Sequence, residues 1–145
     1  MKPVLLSGKG ICKSFSQGAS RETVLDHVDV EIYEGDFTVI MGASGAGKST
    51  LLYALSGMDR ITEGQVFYRE REINRFTEKQ MAELRAGAFG FVFQQTHLVS
   101  SLTLFENVAV AGYLNRKQSE QAVRDRAAQL LSRMRVEKAA SRYPA

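Results

Sequence analysis

Apolar and polar residues alternate in the N-terminal part of the chain, as they do in a β-strand with one face in water. The alternation is clearest within residues 22–34, where Val28, Val30 and Ile32 are separated by polar or amphipathic side chains. Residues 4–15 precede this stretch across a polar turn at 17–20. The pattern predicts two antiparallel strands, 4–15 and 22–34.

A different pattern begins at residue 37, where Phe37-Thr38-Val39-Ile40-Met41 form a nearly continuous apolar run. Such a run is typical of a strand covered on both faces, as in a parallel sheet. Residues 89–93 show the same pattern. We therefore expect two covered strands, 37–41 and 89–93.

Helical spacing and helix-end signals predict the remaining elements. Thr77 with Gln80, and Thr103 with Glu106, have the spacing of capping boxes at helix N-termini. We expect four helices: 49–56, ending at Gly57; 78–86, ending at Gly87; 104–114; and 118–135. In the last helix, several arginines lie on a solvated face, and the residues expected to face inward are Val123, Ala127, Leu130, Leu131 and Met134.

Length and composition restrict the class of protein. The chain has 145 residues, a net charge of +3 and one cysteine, Cys12. This length suits one domain, and the charge is too small to indicate a nucleic-acid partner. A lone cysteine suits a reducing compartment, and we expect Cys12 to act as a small buried apolar residue. We expect a cytoplasmic protein that a partner could hold at a membrane.

The sequence GASGAGKST, directly after the run at 37–41, has the spacing of the P-loop (Walker A) motif. Its glycines allow the backbone to wrap an anion, and its N–H groups and the following helix point positive charge at phosphates. Lys48 is expected at the outer phosphates, Ser49 on magnesium and Thr50 near the inner phosphates. The predicted nucleotide-binding residues are Gly42, Ala43, Ser44, Gly45, Ala46, Gly47, Lys48, Ser49 and Thr50. The loop alone leaves open a transporter ATPase, a small-molecule kinase and a GTPase.

Longer stretches resemble the ATP-binding cassette (ABC) family over essentially the whole chain. VLDHVDVEIYEGDFTVIMGASGAGKSTLLYALSGMDRITEGQVFY resembles the start of the family's ATPase, and GFVFQQTHLVSSLTLFENVAVAGYL resembles the segment around its Q-loop. MGASGAGKSTLLYALSGMD and ELRAGAFGFVFQ look most like the lipoprotein-release, macrolide-export and antimicrobial-peptide-export branch.

The resemblance implies roles for two further residues. Gln94 occupies the position of the Q-loop glutamine, which reaches magnesium and the attacking water, so that Gln94 and Lys48 would be the catalytic residues. Phe15 occupies the position of an aromatic residue that stacks on adenine; from the sequence alone it would be an ordinary packing residue. His97 does not match the family's switch histidine and is expected on a surface loop.

The implied fold is α/β, a P-loop NTPase core with an N-terminal antiparallel β-subdomain and an incomplete helical subdomain. We expect a single ABC-type domain divided into 1–36 (antiparallel part), 37–93 (P-loop core) and 94–145 (Q-loop and helical part). The implied ligands are ATP and Mg²⁺. The implied partners are a transmembrane permease and a second ATPase subunit, with the protein at the inner face of the cytoplasmic membrane and no nucleic acid bound.

The chain matches neither the family's signature motif nor its catalytic glutamate or switch histidine, and it resembles the N-terminal portion of an ATPase subunit. We therefore expect hydrolysis from an intact subunit and not from these 145 residues alone. Two other functions stay open: a module that senses ATP without hydrolysing it, and a small P-loop kinase, which would not explain the leading antiparallel strands.

Overall fold

The computed structural model describes residues 2–18, 20–95, 97–114 and 118–144. The chain forms two compact units, Met1–Gly90 and Phe91–Ala145. Each unit is described by itself below.

The first unit contains an antiparallel sheet of four strands in the order β2-β1-β3-β4. The sequence correctly predicts the first two strands, although both run about two residues further into the turn. Gly18 helps to reverse the chain there with a φ of 60°. The strands are β1 (Val4–Gln17), β2 (Ser20–Tyr33), β3 (Glu63–Tyr68) and β4 (Arg71–Glu72).

Helix α1 (Lys48–Leu55) packs against β1 and β2, and helix α2 (Glu78–Ala88) completes the core of the unit. The half-buried positions of β2 are the alternating ones that the sequence predicts. Gly57 follows α1 with a φ of 64°, so the helix stop predicted there is confirmed. The stop predicted at Gly87 is wrong, because α2 continues to Ala88. The most deeply buried side chains of the unit are Ile11, Leu55, Val66 and Ile73.

The predicted strands 37–41 and 89–93 are wrong in the described part of the chain, because neither segment is assigned as a strand. A strand is held by ladder hydrogen bonds to a neighbour, and the sheet of the first unit contains neither segment. Phe37 is 93% exposed and Val92 is 101% exposed, so the expected cover on both faces is also wrong. Within these segments, Ile40 and Phe89 pack against the core of the first unit as half-buried residues.

The second unit contains helices α3 (Leu104–Tyr113) and α4 (Glu120–Arg133), which pack on each other, and a short 3₁₀ turn at Glu137–Ala139. Ala109 of α3 is buried with Val123 and Ala127 of α4. Met134 lies just beyond the end of α4 and is 73% exposed, so its predicted inward position is wrong.

Both predicted capping boxes are confirmed. The Thr77 hydroxyl accepts from the Gln80 N–H at the start of α2, and the Gln80 side chain accepts from the Thr77 N–H in return. Thr103 and Glu106 make the same reciprocal pair at the start of α3. Among the described residues, no helix combines the length and apolar character needed to cross a membrane.

Candidate functional site

The P-loop is built by backbone conformations that glycine adopts without strain. Gly45 and Gly47 have φ values of 80° and 77°, in the left-handed region that disfavours side chains. The loop closes on itself: a Cβ at Gly42 would lie 3.3 Å from the Ala46 Cβ, and the Ala46 N–H donates to the Ala43 carbonyl at 3.2 Å. The loop is thus a compact turn that leads directly into α1.

Strand β2 supports the loop where α1 begins. A Cβ on Gly47 would lie 3.1 Å from the Val24 carbonyl oxygen and 3.2 Å from a Leu25 methyl group. These distances leave little room for a side chain, so the first turn of α1 rests closely on β2. The sheet therefore fixes the position of the loop.

Lys48 holds its ammonium group against the loop. Its Nζ donates to the carbonyl oxygens of Gly42 at 2.9 Å and Ala43 at 2.7 Å. The first turn of α1 carries no acidic side chain that would offset the positive helix end. Ser49 is exposed and Thr50 half-buried in the same turn. Backbone N–H groups, an ammonium and hydroxyls are the donor set that binds a chain of phosphates.

Phe15 lies on β1 opposite Glu22 of β2 and is 41% exposed. Val24, which contacts the Gly47 position, is only two residues further along β2, or about 7 Å of strand. The register of the sheet thus places Phe15 on the hairpin that the P-loop contacts, close to the point of contact. A partly exposed aromatic ring there is available to a planar ligand.

Lys13 is a residue of this region whose contacts the sequence did not reveal. It is buried, and its Nζ donates to the Asp59 carboxylate and to the Arg60 carbonyl oxygen, each at 2.7 Å. The same Nζ lies 4.8 Å from the centroid of the Phe15 ring. Lys13 therefore joins the candidate base-stacking residue to the segment that follows α1.

Gln94 belongs to the second unit, where it is exposed at a bend after the stacked rings of Phe91 and Phe93. His97 is exposed, as expected, and meets Phe93 edge-on. The P-loop belongs to the first unit, so the predicted shared magnesium ligation by Ser49 and Gln94 stays a prediction.

Asn107 has a structural role that the sequence analysis missed. The one signal that pointed to it was its position in the stretch that resembles the segment around the Q-loop. Its side-chain oxygen accepts from the Val99 N–H at 2.7 Å, and its side-chain nitrogen donates to the carbonyl oxygens of Val99, Leu102 and Thr103. One amide thus orders the segment that leads into α3.

Comparison with known proteins agrees with this geometry. A family model described as ABC transporter matches residues 25–145. The chain belongs to the ABC transporter family. This family membership and the antiparallel sheet with its P-loop confirm the resemblance and the α/β fold class inferred from the sequence.

Two curated relatives agree with the branch that the sequence resembles. The lipoprotein-releasing system ATP-binding protein LolD of Idiomarina loihiensis is 37% identical over 145 residues, which is all of this chain and 63% of LolD. The macrolide export ATP-binding/permease protein MacB of Pasteurella multocida is 36% identical over 137 residues, covering 94% of this chain and 21% of MacB. The chain thus spans less than two thirds of either relative.

A solved structure of the ATP-binding cassette MJ0796, a dimer in a post-hydrolysis state bound to ADP and Pi, matches this fold with a TM-score of 0.89 and 32% identity. The match covers 96% of this chain and 61% of the cassette. The described architecture is therefore that of the corresponding part of an ABC cassette.

Proposed function

We propose that the chain acts in an ABC transporter as the ATP-binding subunit that couples ATP binding and hydrolysis to transport across the cytoplasmic membrane, as an exporter or in lipoprotein release. The observation that carries this proposal is the P-loop, in which left-handed Gly45 and Gly47 lead into α1 beside the Lys48 ammonium. Transport in this direction is supported by the names of two relatives, the lipoprotein-releasing LolD and the macrolide-exporting MacB.

In the proposed complex, the donors of residues 42–50 hold the phosphates of ATP. Lys48 would exchange its contacts with the Gly42 and Ala43 carbonyls for phosphate oxygens, which are stronger acceptors because they are charged. The exposed hydroxyl of Ser49 would hold Mg²⁺, an ion that prefers oxygen ligands and would offset the negative charge of the phosphates. Gln94 is proposed as the residue that completes this site at the magnesium and the attacking water.

Phe15 is proposed as the platform for adenine. A base that stacks on an aromatic ring gains about 1–3 kcal/mol, judged from single-stranded nucleic acids. The 41% exposure of Phe15 and its register near the Gly47 contact support this role. Such a platform would distinguish ATP from a bare polyphosphate.

The proposed partners are a second ATPase subunit and a membrane-spanning permease, with the protein at the inner face of the membrane. The dimeric state of the MJ0796 cassette supports the first, and the combined ATP-binding/permease name of MacB supports the second. No nucleic-acid partner is proposed. A module that binds ATP without hydrolysing it is the alternative function.

One experiment tests the proposal in two steps. A fluorescent ATP analogue is titrated with Mg²⁺ against the 145-residue chain and its Lys48→Ala variant, with Lys79→Ala, an exposed lysine of α2, as the charge-matched control. We expect Lys48→Ala alone to lose about 1.5–3 kcal/mol of affinity, because a charged hydrogen-bonding group is removed. Equal affinities of wild type and Lys48→Ala would refute nucleotide binding by this loop.

The second step measures phosphate release by the chain and by a fusion in which the C-terminal part of LolD follows it. We expect release from the fusion alone, because hydrolysis needs a general base and further donors around the transferred phosphate. Release should disappear in the Lys48→Ala fusion. A fusion that binds ATP and releases no phosphate would favour the sensing module.

A further inference from the structure

A β-bulge places three chemically different side chains at one point of the β1–β2 hairpin. Ile11 pairs with Val28, and Lys13 pairs with Leu25. Between these pairs, Cys12 alone stands opposite two residues, Asp26 and His27. A bulge of this kind redirects the side chains of the longer strand.

The bulge turns the His27 backbone toward the cysteine. His27 has a φ of 47°, which is uncommon for a residue other than glycine, and its N–H donates to the Cys12 Sγ at 3.3 Å. The His27 Nδ1 lies 2.6 Å from the Asp26 carboxylate. One sulfur, one imidazole nitrogen and one carboxylate oxygen therefore lie within 4.8 Å of one another.

We propose that Cys12, Asp26 and His27 bind a divalent transition-metal ion of the zinc type. Zn²⁺ accepts sulfur, nitrogen and oxygen ligands at about 2.0–2.3 Å, so three ligands of one ion lie about 3–4 Å apart, and water can fill the fourth position. The hard ion Mg²⁺ binds thiolates poorly, so this site and the proposed nucleotide site would bind different metal ions.

The surroundings suit binding of an ion from solution. The side chains of Asp26 and His27 are 79% and 77% exposed, so they can rotate onto an ion without disturbing the core. Cys12 is buried beneath them and supplies a fixed ligand. On binding, the thiol proton leaves to solvent as the sulfur–metal bond forms.

Metal binding would tie β1 to β2 at the bulge, where the ladder is interrupted. A ligand that binds the folded chain and not the unfolded chain stabilises the fold. The site would therefore act as a clamp on the hairpin that carries Phe15, and it is independent of whether the P-loop binds ATP.

Cobalt provides the test, because a cysteine thiolate bound to Co²⁺ gives a charge-transfer band and the chain contains a single cysteine. Reduced chain is titrated with Co²⁺ in the presence of excess Mg²⁺, and Zn²⁺ is then added as a competitor. The variants are Cys12→Ala, Asp26→Asn and His27→Asn, since Asn tolerates a left-handed backbone. His97→Asn, which changes the second of the two histidines, is the matched control.

We expect a charge-transfer band that Zn²⁺ abolishes, together with a Zn²⁺-dependent rise in Tm. The band should vanish in Cys12→Ala. The affinity for Co²⁺ should fall by more than about tenfold in Asp26→Asn and in His27→Asn, and it should stay unchanged in His97→Asn. Absence of the band in the wild-type chain would overturn the proposal. Unchanged cobalt affinity in either the Asp26 or the His27 variant would also overturn the three-ligand site.

Discussion

The Lys13 ammonium lies 4.8 Å from the centre of the Phe15 ring, two residues away on β1. Two of the three N–H donors of Lys13 are accounted for by Asp59 and the Arg60 carbonyl, so the ammonium is held in place by the segment after α1. A cation over an aromatic face is attractive, and more so when both are shielded from water. The ring of Phe15 is thereby positioned by a lysine of its own strand, and that lysine is anchored by the segment after α1.

Phe15→Ala is expected to weaken ATP binding by about 1–3 kcal/mol and to leave inorganic tripolyphosphate binding unchanged, because only the stacking surface is lost. Competition titrations with both ligands against a fluorescent ATP analogue measure the difference. Phe15→Tyr, which keeps the ring, should bind both ligands nearly as wild type does. Normal ATP affinity in a folded Phe15→Ala protein would make Phe15 a packing residue.

Lys13→Met is expected to weaken ATP binding relative to tripolyphosphate by less than Phe15→Ala does, because the ring remains and only its orientation is released. The two variants should be non-additive: in a Phe15→Ala background, Lys13→Met should not change the preference for ATP over tripolyphosphate. A double-mutant cycle measures this coupling. Additive losses would show that Lys13 acts on binding independently of Phe15.

Gly47→Ala is expected to lower the free energy of unfolding and to weaken both ATP and tripolyphosphate binding. The left-handed conformation alone costs a side-chain residue about 1–2 kcal/mol, and the new Cβ would crowd the Val24 carbonyl at 3.1 Å. Gly87→Ala is the matched control, since Gly87 lies within α2 with no atom within 4 Å of its Cβ position. That change should stabilise the protein by roughly 0.5–1 kcal/mol. Similar denaturation curves for the two variants would contradict this account of the loop.

Gln94→Ala in a full-length transporter is expected to leave ATP affinity mostly intact and to reduce the stimulation of ATP hydrolysis by the permease. The reason is that the proposed role of Gln94 lies at the magnesium, the water and the partner, not at the body of the nucleotide. ATPase assays with and without the permease measure this stimulation. Gln95→Ala is the neighbouring control, and a loss confined to Gln95→Ala would move the role to that residue.

The capping box of α3 should make the stability of the protein sensitive to acid. The pKa of Glu106 is lowered from its ordinary value of 4.5, first because the Thr103 backbone N–H donates to the carboxylate and then because the Thr103 hydroxyl does so. A lowered pKa in the folded state adds stability above the ordinary value, and this stability is lost as the pH falls below it. Glu106→Gln should therefore lower Tm at neutral pH, and the difference from wild type should shrink as the pH drops below about 4.5.

Glutamine caps α2 in the same way through Gln80, so Glu106→Gln should keep α3 folded while removing the titrating group. Thermal melts followed by circular dichroism across this pH range provide the measurement. A Tm difference that does not vary with pH would show that the Glu106 carboxylate does not contribute through its charge.

Local signals in the sequence were sufficient where the structure depends on nearby residues. The capping boxes at Thr77 and Thr103 are formed by residues three positions apart, and the alternation in β2 reports its own exposed face. The P-loop conformation follows in the same way from its glycines.

Distant relationships could not be predicted. Lys13 and Asp59 are 46 residues apart, and a lysine in a strand pattern gives no sign that it will be buried against a particular carboxylate. The strand predicted at 37–41 is wrong for a related reason. An apolar run indicates that a segment favours burial, but it does not specify which residues pack against it. The relation of Gln94 to the P-loop likewise depends on how elements far apart in sequence pack.

The β1–β2 hairpin holds helix α1 at both ends. At the N-terminus, Gly47 lies against Val24 and Leu25. Beyond the C-terminus, Lys13 of β1 bonds to Asp59. The separation between the Phe15 ring and the P-loop is therefore set by the sheet and the helix, not by a flexible linker. This arrangement fixes the distance between the two points that a bound ligand would contact. A ligand that contacts both the ring and the loop must span this distance, so a nucleotide analogue with a longer or shorter link between its base and its first phosphate would have to give up one of the two contacts.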